Sequence, residues 1–175
     1  MKNTRWVLPL LFVSFLLISQ TAAAQLAMGT MQPLQKIQIK QGDSYTAKLY
    51  FYNTVGVKDV HIQLSLGMGD PEWVKIEPPA EFAQYEVAGT ICNITENLAV
   101  KPGDYVYNVT PDDIDARTVE PGGSAYILSP ARPDTYIPAR VAYVTFSVPE
   151  DAEIGTYKFR IDALGSWFGD VGCIM

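Results

Sequence analysis

The sequence predicts an all-β domain, an antiparallel sandwich of two sheets, and three observations lead there. Residues 140–164, RVAYVTFSVPEDAEIGTYKFRIDAL, hold two runs that alternate apolar and polar with period two, as half-buried strands do. Ala142, Val144, Phe146 and Val148 share one face of the first run; Tyr157, Phe159, Ile161 and Ala163 share one face of the second, with Lys158, Arg160 and Asp162 opposite. Between them, residues 149–155 form a polar turn without helical period, a corner that joins two sheets, and Tyr157 stands where a tyrosine corner aims its hydroxyl at upstream backbone. Upstream, three further alternating runs separated by turn residues lie between Lys36 and Leu66, and no convincing amphipathic helix accompanies them.

Residues 1–24 read as a cleavable signal helix. Lys2 and Arg5 form a charged start, residues 6–18 an apolar run, and Ala22-Ala23-Ala24 a small-residue site suited to cleavage before Gln25. The run is short for a membrane span, although a retained N-terminal anchor is the alternative. No cysteine follows it to carry a lipid, and no later hydrophobic run approaches spanning length. The expectation is an exported chain, secreted, extracellular or held at the cell envelope, with no membrane span in its mature part.

Removing residues 1–24 from 175 leaves 151, enough for one domain (25–175) with a full core. Taking Lys2 and Arg5 from the 13 basic residues leaves 11 against 19 acidic ones, a net charge of −8. That balance disfavours nucleic acid as a partner, because nothing concentrates Lys or Arg on one strand face. Cys92 and Cys173 are the two cysteines, and in an oxidising exterior an even pair reads first as a disulfide, with two separate thiols as the alternative. Closing a loop of about 80 residues stabilises a fold by ~4 kcal/mol in the chain-entropy model. Two cysteines this far apart, with one histidine in the chain, do not make a zinc site.

In chain order, residues 36–40 alternate with Ile37 and Ile39 inward and predict a first strand. Gly42-Asp43 turns the chain into a second strand over 44–53, with Tyr45, Ala47, Leu49 and Phe51 inward and Thr46, Lys48, Tyr50 and Tyr52 outward. Val60, Ile62, Leu64 and Leu66 line a third, which leaves His61, Gln63 and Ser65 on the outer side. Trp73, Val74 and Ile76 follow, and Pro78-Pro79 ends any pairing there. Residues 81–139 form an insert that adds a hairpin, an edge strand or a long loop. Strands are expected near 87–95, 105–110 and 125–128, with turns at Pro102-Gly103-Asp104, Pro121-Gly122-Gly123 and 130–133. Trp167-Phe168 and Cys173-Ile174 make a short closing strand despite three nearby glycines; should it fail, a sheet edge lies open.

Asp151-Ala-Glu-Ile-Gly155-Thr-Tyr157-Lys-Phe159 resembles the D-x-G-x-Y-x-C signature of immunoglobulin folds, with one extra residue before the glycine and Phe159 where the cysteine of the inter-sheet disulfide stands. Gln41-Gly42-Asp43, Asn53, Trp73-Val74 and Val148-Pro149-Glu150-Asp151-Ala152 extend the resemblance to secreted immunoglobulin-like domains of archaeal and bacterial surface-layer proteins and glycosidase-associated modules. It covers both ends of the chain and hardly touches 81–139. What it implies is an immunoglobulin-like antiparallel sandwich at the cell exterior, serving as spacer, surface-layer part or binding accessory.

Candidate chemistry is sparse. A nucleophile needs a base of near-neutral pKa, and His61, the lone histidine, falls on an outward face; no G-x-S-x-G, H-E-x-x-H or glycine-rich phosphate loop occurs. The expectation is a protein that is not an enzyme. Asp112, Asp113 and Asp115, with Asp104 upstream, are a candidate Ca²⁺ cluster or solvated turn residues; no other cofactor is expected. Asn93-Ile94-Thr95 and Asn108-Val109-Thr110 are N-glycosylation sequons. With Asn93 outward, Cys92 and Ile94 point in; with Asn108 outward, Tyr105, Tyr107 and Val109 pack inward. Tyr50, Tyr52 and Tyr143 fall on outward faces of neighbouring strands and form one aromatic patch, unless the insert folds over it. Trp73 reads as a core plug or as a sugar platform. Three functions are therefore expected in this order: a structural or interaction module contacting a protein or glycan at the cell surface, a carbohydrate-binding accessory, and a self-associating filament subunit. In the last, residues 25–33 of one copy add to the open edge of another.

Overall fold

A computed structural model describes residues 28–30, 35–53, 59–109, 119–130, 132–169 and 172–174, with backbone alone for 28–30, 167–169 and 172–174. The expected signal helix lies outside them. Among the described residues the chain runs β1 (Met28–Thr30), β2 (Ser44–Asn53), β3 (Val60–Met68), a 3-10 turn (Pro71–Trp73), β4 (Val74–Glu77), β5 (Glu81–Val87), β6 (Thr90–Glu96), β7 (Leu98–Val100), β8 (Ser124–Leu128), β9 (Tyr136–Ser147), β10 (Arg160–Gly169) and β11 (Gly172–Ile174). It is all-β, and every strand pairs antiparallel. No helix among the described residues is long and apolar enough to cross a membrane.

One sheet has the order β1-β2-β9-β4, with β8 beside β9; the other has the order β11-β10-β3-β7; β5 and β6 form a separate hairpin. Period-two alternation in β2 sends Ala47 and Phe51 inward, and the same alternation in β3 sends Val60, Ile62 and Leu64 inward. These faces meet. Phe51 and Ala142 of the first sheet pack with Val60, Ile62, Leu64, Leu98 and Val100 of the second, with Leu49 and Ile76 at the margin. Each large side chain fully buried there stabilises the fold by ~1.5–3 kcal/mol relative to exposure.

The centre of the first sheet is β9, and it is buried on both faces. Ala142 and Val144 face the shared core, while Ile137, Ala139 and Val141 on the opposite face are also buried. Tyr50, Tyr52 and Ile127 pack on that second face. Pro138 lies within β9 where its missing N–H costs the β2 ladder nothing, since that ladder ends at Arg140 and β8 alone continues, as Tyr126↔Pro138. Gly103 passes so near that a Cβ there would stand 2.1 Å from the Pro138 ring.

The expected strand over 36–40 does not form. Residues 35–40 join no ladder and Ile37 is 40% exposed, because two isoleucines bury too little area to hold a strand and part of the β2 edge is taken by β1. The expected strand over 87–95 divides into a hairpin: Ala88 (φ 50°) and Gly89 (φ 77°) supply the positive φ values that a two-residue turn needs, and Val87 pairs with Thr90. The expected strand over 105–110 is absent among the described residues apart from a bridge between Val106 and Tyr136. Tyr107 is exposed, not inward.

Tyr157 and Phe159 do not enter the last long strand, which begins at Arg160 with a bulge before Ile161. They turn instead into an aromatic stack at one end of the sheets, with Trp73–Tyr157 centroids 4.7 Å apart and Phe146–Phe159 centroids 5.2 Å apart. Gly69 (φ +116°) lets this stack close, since a Cβ there would stand 2.2 Å from Cδ1 of Phe159. Gly69→Ala is expected to cost about 2 kcal/mol from backbone strain and displacement of that ring, measurable by urea unfolding.

Candidate functional site

The insert supplies the most developed site. In the hairpin, Ala83, Tyr85 and Val87 of β5 and Cys92, Ile94 and Glu96 of β6 alternate toward the second sheet, and Cys92 and Ile94 are buried with Tyr85 and Val87 packed on them. The other face carries Phe82, Gln84, Glu86, Ile91, Asn93 and Thr95, all exposed. The hairpin lies against β3, and β11 lies against β6.

His61 does fall on the outer side of β3, but it is only 6% exposed because the hairpin covers it. Its Nδ1 meets Glu96 Oε2, and Tyr85 Oη donates to Glu96 Oε1. The Tyr85 ring lies 4.3 Å from the imidazole, centroid to centroid. Burial, then the hydrogen bond to Glu96 and the charges of Glu96 and Asp59, pushes the Tyr85 phenol up to about 12. One carboxylate thus joins a phenol of β5 to the imidazole of β3. Chemically this is a clamp: both carboxylate oxygens are engaged, and all three groups stand on different strands.

Asn97 continues the clamp where β6 gives way to β7. Its side-chain oxygen accepts from Leu64 N (2.5 Å), its amide donates to Pro78 O (2.6 Å), and its backbone N donates to Ile62 O (2.7 Å). Neither Glu96 nor Asn97 is distinguished by sequence pattern; the one available signal was the placement of two polar residues between apolar strands.

The raised phenol has a pH consequence. Its folded-state pKa lies above the ordinary 10, so the folded protein holds this proton more tightly than the unfolded chain. The associated stability is fully present below pH 10 and is lost as pH rises through about 12. Urea unfolding between these values is expected to show a decline that Tyr85→Phe removes.

The other candidate residues are dispersed. Tyr50, Tyr52 and Tyr143 are half-buried and do not form an exposed patch. Tyr50 and Tyr52 are engaged with Ile127, Ile137 and Ala139, and Tyr143 Oη donates to Val119 O while the Lys48 ammonium sits 5.7 Å from its ring centroid. The insert has folded over this face. Trp73 is half-buried in the aromatic stack, at the end of the 3-10 turn that Asp70 caps by accepting from Glu72 N (2.9 Å). Tyr157 Oη donates to Glu153 O (2.6 Å), four residues upstream.

Asp104 is exposed; Asp112, Asp113 and Asp115 lie outside the described residues, among which no group of three His, Cys, Asp or Glu side chains is placed to hold a metal. Asn108 is exposed, and Thr110 of its sequon lies outside the described residues. Cys92 is 1% exposed and disulfide-bonded. The side chain of Cys173 lies outside the described residues, but its backbone pairs with Phe168 in the closing β10–β11 hairpin.

The chain matches no family model, no curated protein and no solved structure.

Proposed function

We propose that the chain is an exported, non-enzymatic immunoglobulin-like sandwich that acts by surface contact, as a structural or interaction module at the cell envelope. The observation that carries this is the disulfide-bonded Cys92, buried on the inner face of the β5–β6 hairpin that the insert lays against the second sheet. Disulfides persist where the surroundings are oxidising, and the leader-like residues 1–24 point to the same compartment. Cys173 is the other cysteine of the chain, and its strand runs against β6, so this reading pairs the two. Tyr157, hydrogen-bonded to upstream backbone at the corner before β10, supports the immunoglobulin-like part. The carbohydrate-binding reading is weakened, since Tyr50, Tyr52, Tyr143 and Trp73 are half-buried and each is engaged by neighbouring side chains or backbone.

The test is expression of the full chain with its leader. The expected product is recovered outside the cytoplasm, begins at Gln25 and has no titratable thiol under denaturing, non-reducing conditions. A full-length product kept in the cytoplasm with two free thiols overturns the reading.

A second reading, self-association by strand exchange, is favoured by β1, which meets β2 over only three residues, Met28↔Asn53 to Thr30↔Phe51. A short terminal strand held on a sheet edge is readily exchanged between copies. Size-exclusion chromatography with and without residues 25–33 tests it: oligomers lost on deletion support exchange, and a concentration-independent monomer refutes it.

A further inference from the structure

We propose that Asn93 is an N-glycan attachment site and that the first sugar packs on Phe82 on the outer face of the β5–β6 hairpin. In an extended strand residues two apart share a face, so Asn93 and Thr95, the two determinants of the sequon, project together to solvent, and both are exposed. On the same face, Phe82 is 68% exposed and Ile91 64%. The register pairs Gln84 with Asn93, Phe82 with Thr95 and Glu86 with Ile91. Phe82 is thus the diagonal neighbour of Asn93 on one side and Ile91 its neighbour along the strand on the other. Each lies about 7 Å from Asn93 but about 14 Å from the other, so one pyranose ring reaches a single one of them, and the aromatic face of Phe82 is the better platform. A large aromatic and a branched aliphatic left in water flank the acceptor amide, and the apolar CH face of a sugar covers such surface while its hydroxyls stay hydrated. Because the inner face of the same strand is fixed by Cys92 and Ile94, the glycan is held outward.

The step is a glycosyl transfer. Asn93 Nδ2 bonds to the anomeric carbon of a saccharide activated on a polyprenyl phosphate carrier, the carbon–oxygen bond to the carrier phosphate breaks, the carrier leaves with the electron pair, and one amide proton is lost. No oxidation or reduction takes part. This inference rests on the export reading, because the carrier-linked donor meets its acceptor at a membrane face beyond the cytoplasm.

The test is expression of the full chain in a host with N-glycosylation machinery, followed by intact mass and peptide mapping of the exported product. A glycan on Asn93 is expected, and it is expected to be lost completely in Asn93→Gln and in Thr95→Ala while export persists. An exported chain with Asn93 unmodified, or modified only at Asn108, overturns the inference and leaves the export reading standing. A chain retained inside the cell overturns both. The packing is read separately: the glycan should raise the melting temperature of the wild type and fail to do so in Phe82→Ala, and an equal shift in both overturns the contact with Phe82.

Discussion

Cys92→Ser is expected to lower the unfolding free energy by about 4 kcal/mol, the value for opening a covalent loop of about 80 residues. The loss has two parts. In the proposed pairing with Cys173, the unfolded chain regains the freedom that the link withholds, and the hairpin loses its covalent hold on the closing strand β11. Since Cys92 is buried, serine also leaves a hydroxyl among Ile94, Tyr85 and Val87. Chemical denaturation of wild type and variant, each with and without reductant, separates these parts. Reductant should bring the wild type most of the way to the variant and leave the variant unchanged. A wild type indifferent to reductant overturns the pairing.

Glu96→Ala is expected to cost about 3 kcal/mol, as removal of one member of a buried ionic hydrogen-bonded group does. The carboxylate is the shared acceptor, so its loss removes one contact from the Tyr85 hydroxyl and one from the His61 ring beneath the hairpin. Each then loses a hydrogen bond that offsets its desolvation. Tyr85→Phe leaves the Glu96–His61 contact in place and should cost less. The paired measurement is hydrogen exchange of the β5 and β6 amides: Glu96→Ala should release protection in the hairpin while the amides of β2 and β9 stay protected. Uniform loss of protection across both sheets would show that the hairpin is not a separately held unit. Cys92→Ser and Glu96→Ala act on the same hairpin, so their combined effect should depart from the sum.

Much of the strand pattern was legible in sequence. The ten-residue alternation after Gly42-Asp43 predicts β2 over the residues it occupies, Val60 opens β3 as expected, and Pro78-Pro79 ends β4. The paired ends Trp167↔Ile174 and Phe168↔Cys173 also follow the expected closure. Where sequence reasoning failed, the cause lay in distant contacts. Tyr157, Phe159 and Ile161 alternate as a strand does, yet the first two are taken by Trp73 from another part of the chain. Ala88-Gly89 is not among the strongest turn pairs, so a hairpin read as one strand. Val141, Ala139 and Ile137 sit at outward positions of β9 and are buried all the same.

The candidate site divides along the same line. Burial of Cys92 and Ile94 with Asn93 exposed is a local matter, decided by side-chain alternation along one strand and readable from the order of residues. Alternation likewise sends His61 to the outer side of β3. That this outer side is covered, and that Glu96 and Tyr85 arrive there to meet the imidazole, depended on where a hairpin 20 to 35 residues away docks. The amino-acid order determined which residues form strands and which way each side chain points, because both follow from the backbone geometry of neighbours. Only the tertiary structure decided which outward faces stay in water, because that depends on long-range packing between segments whose local patterns are silent about one another.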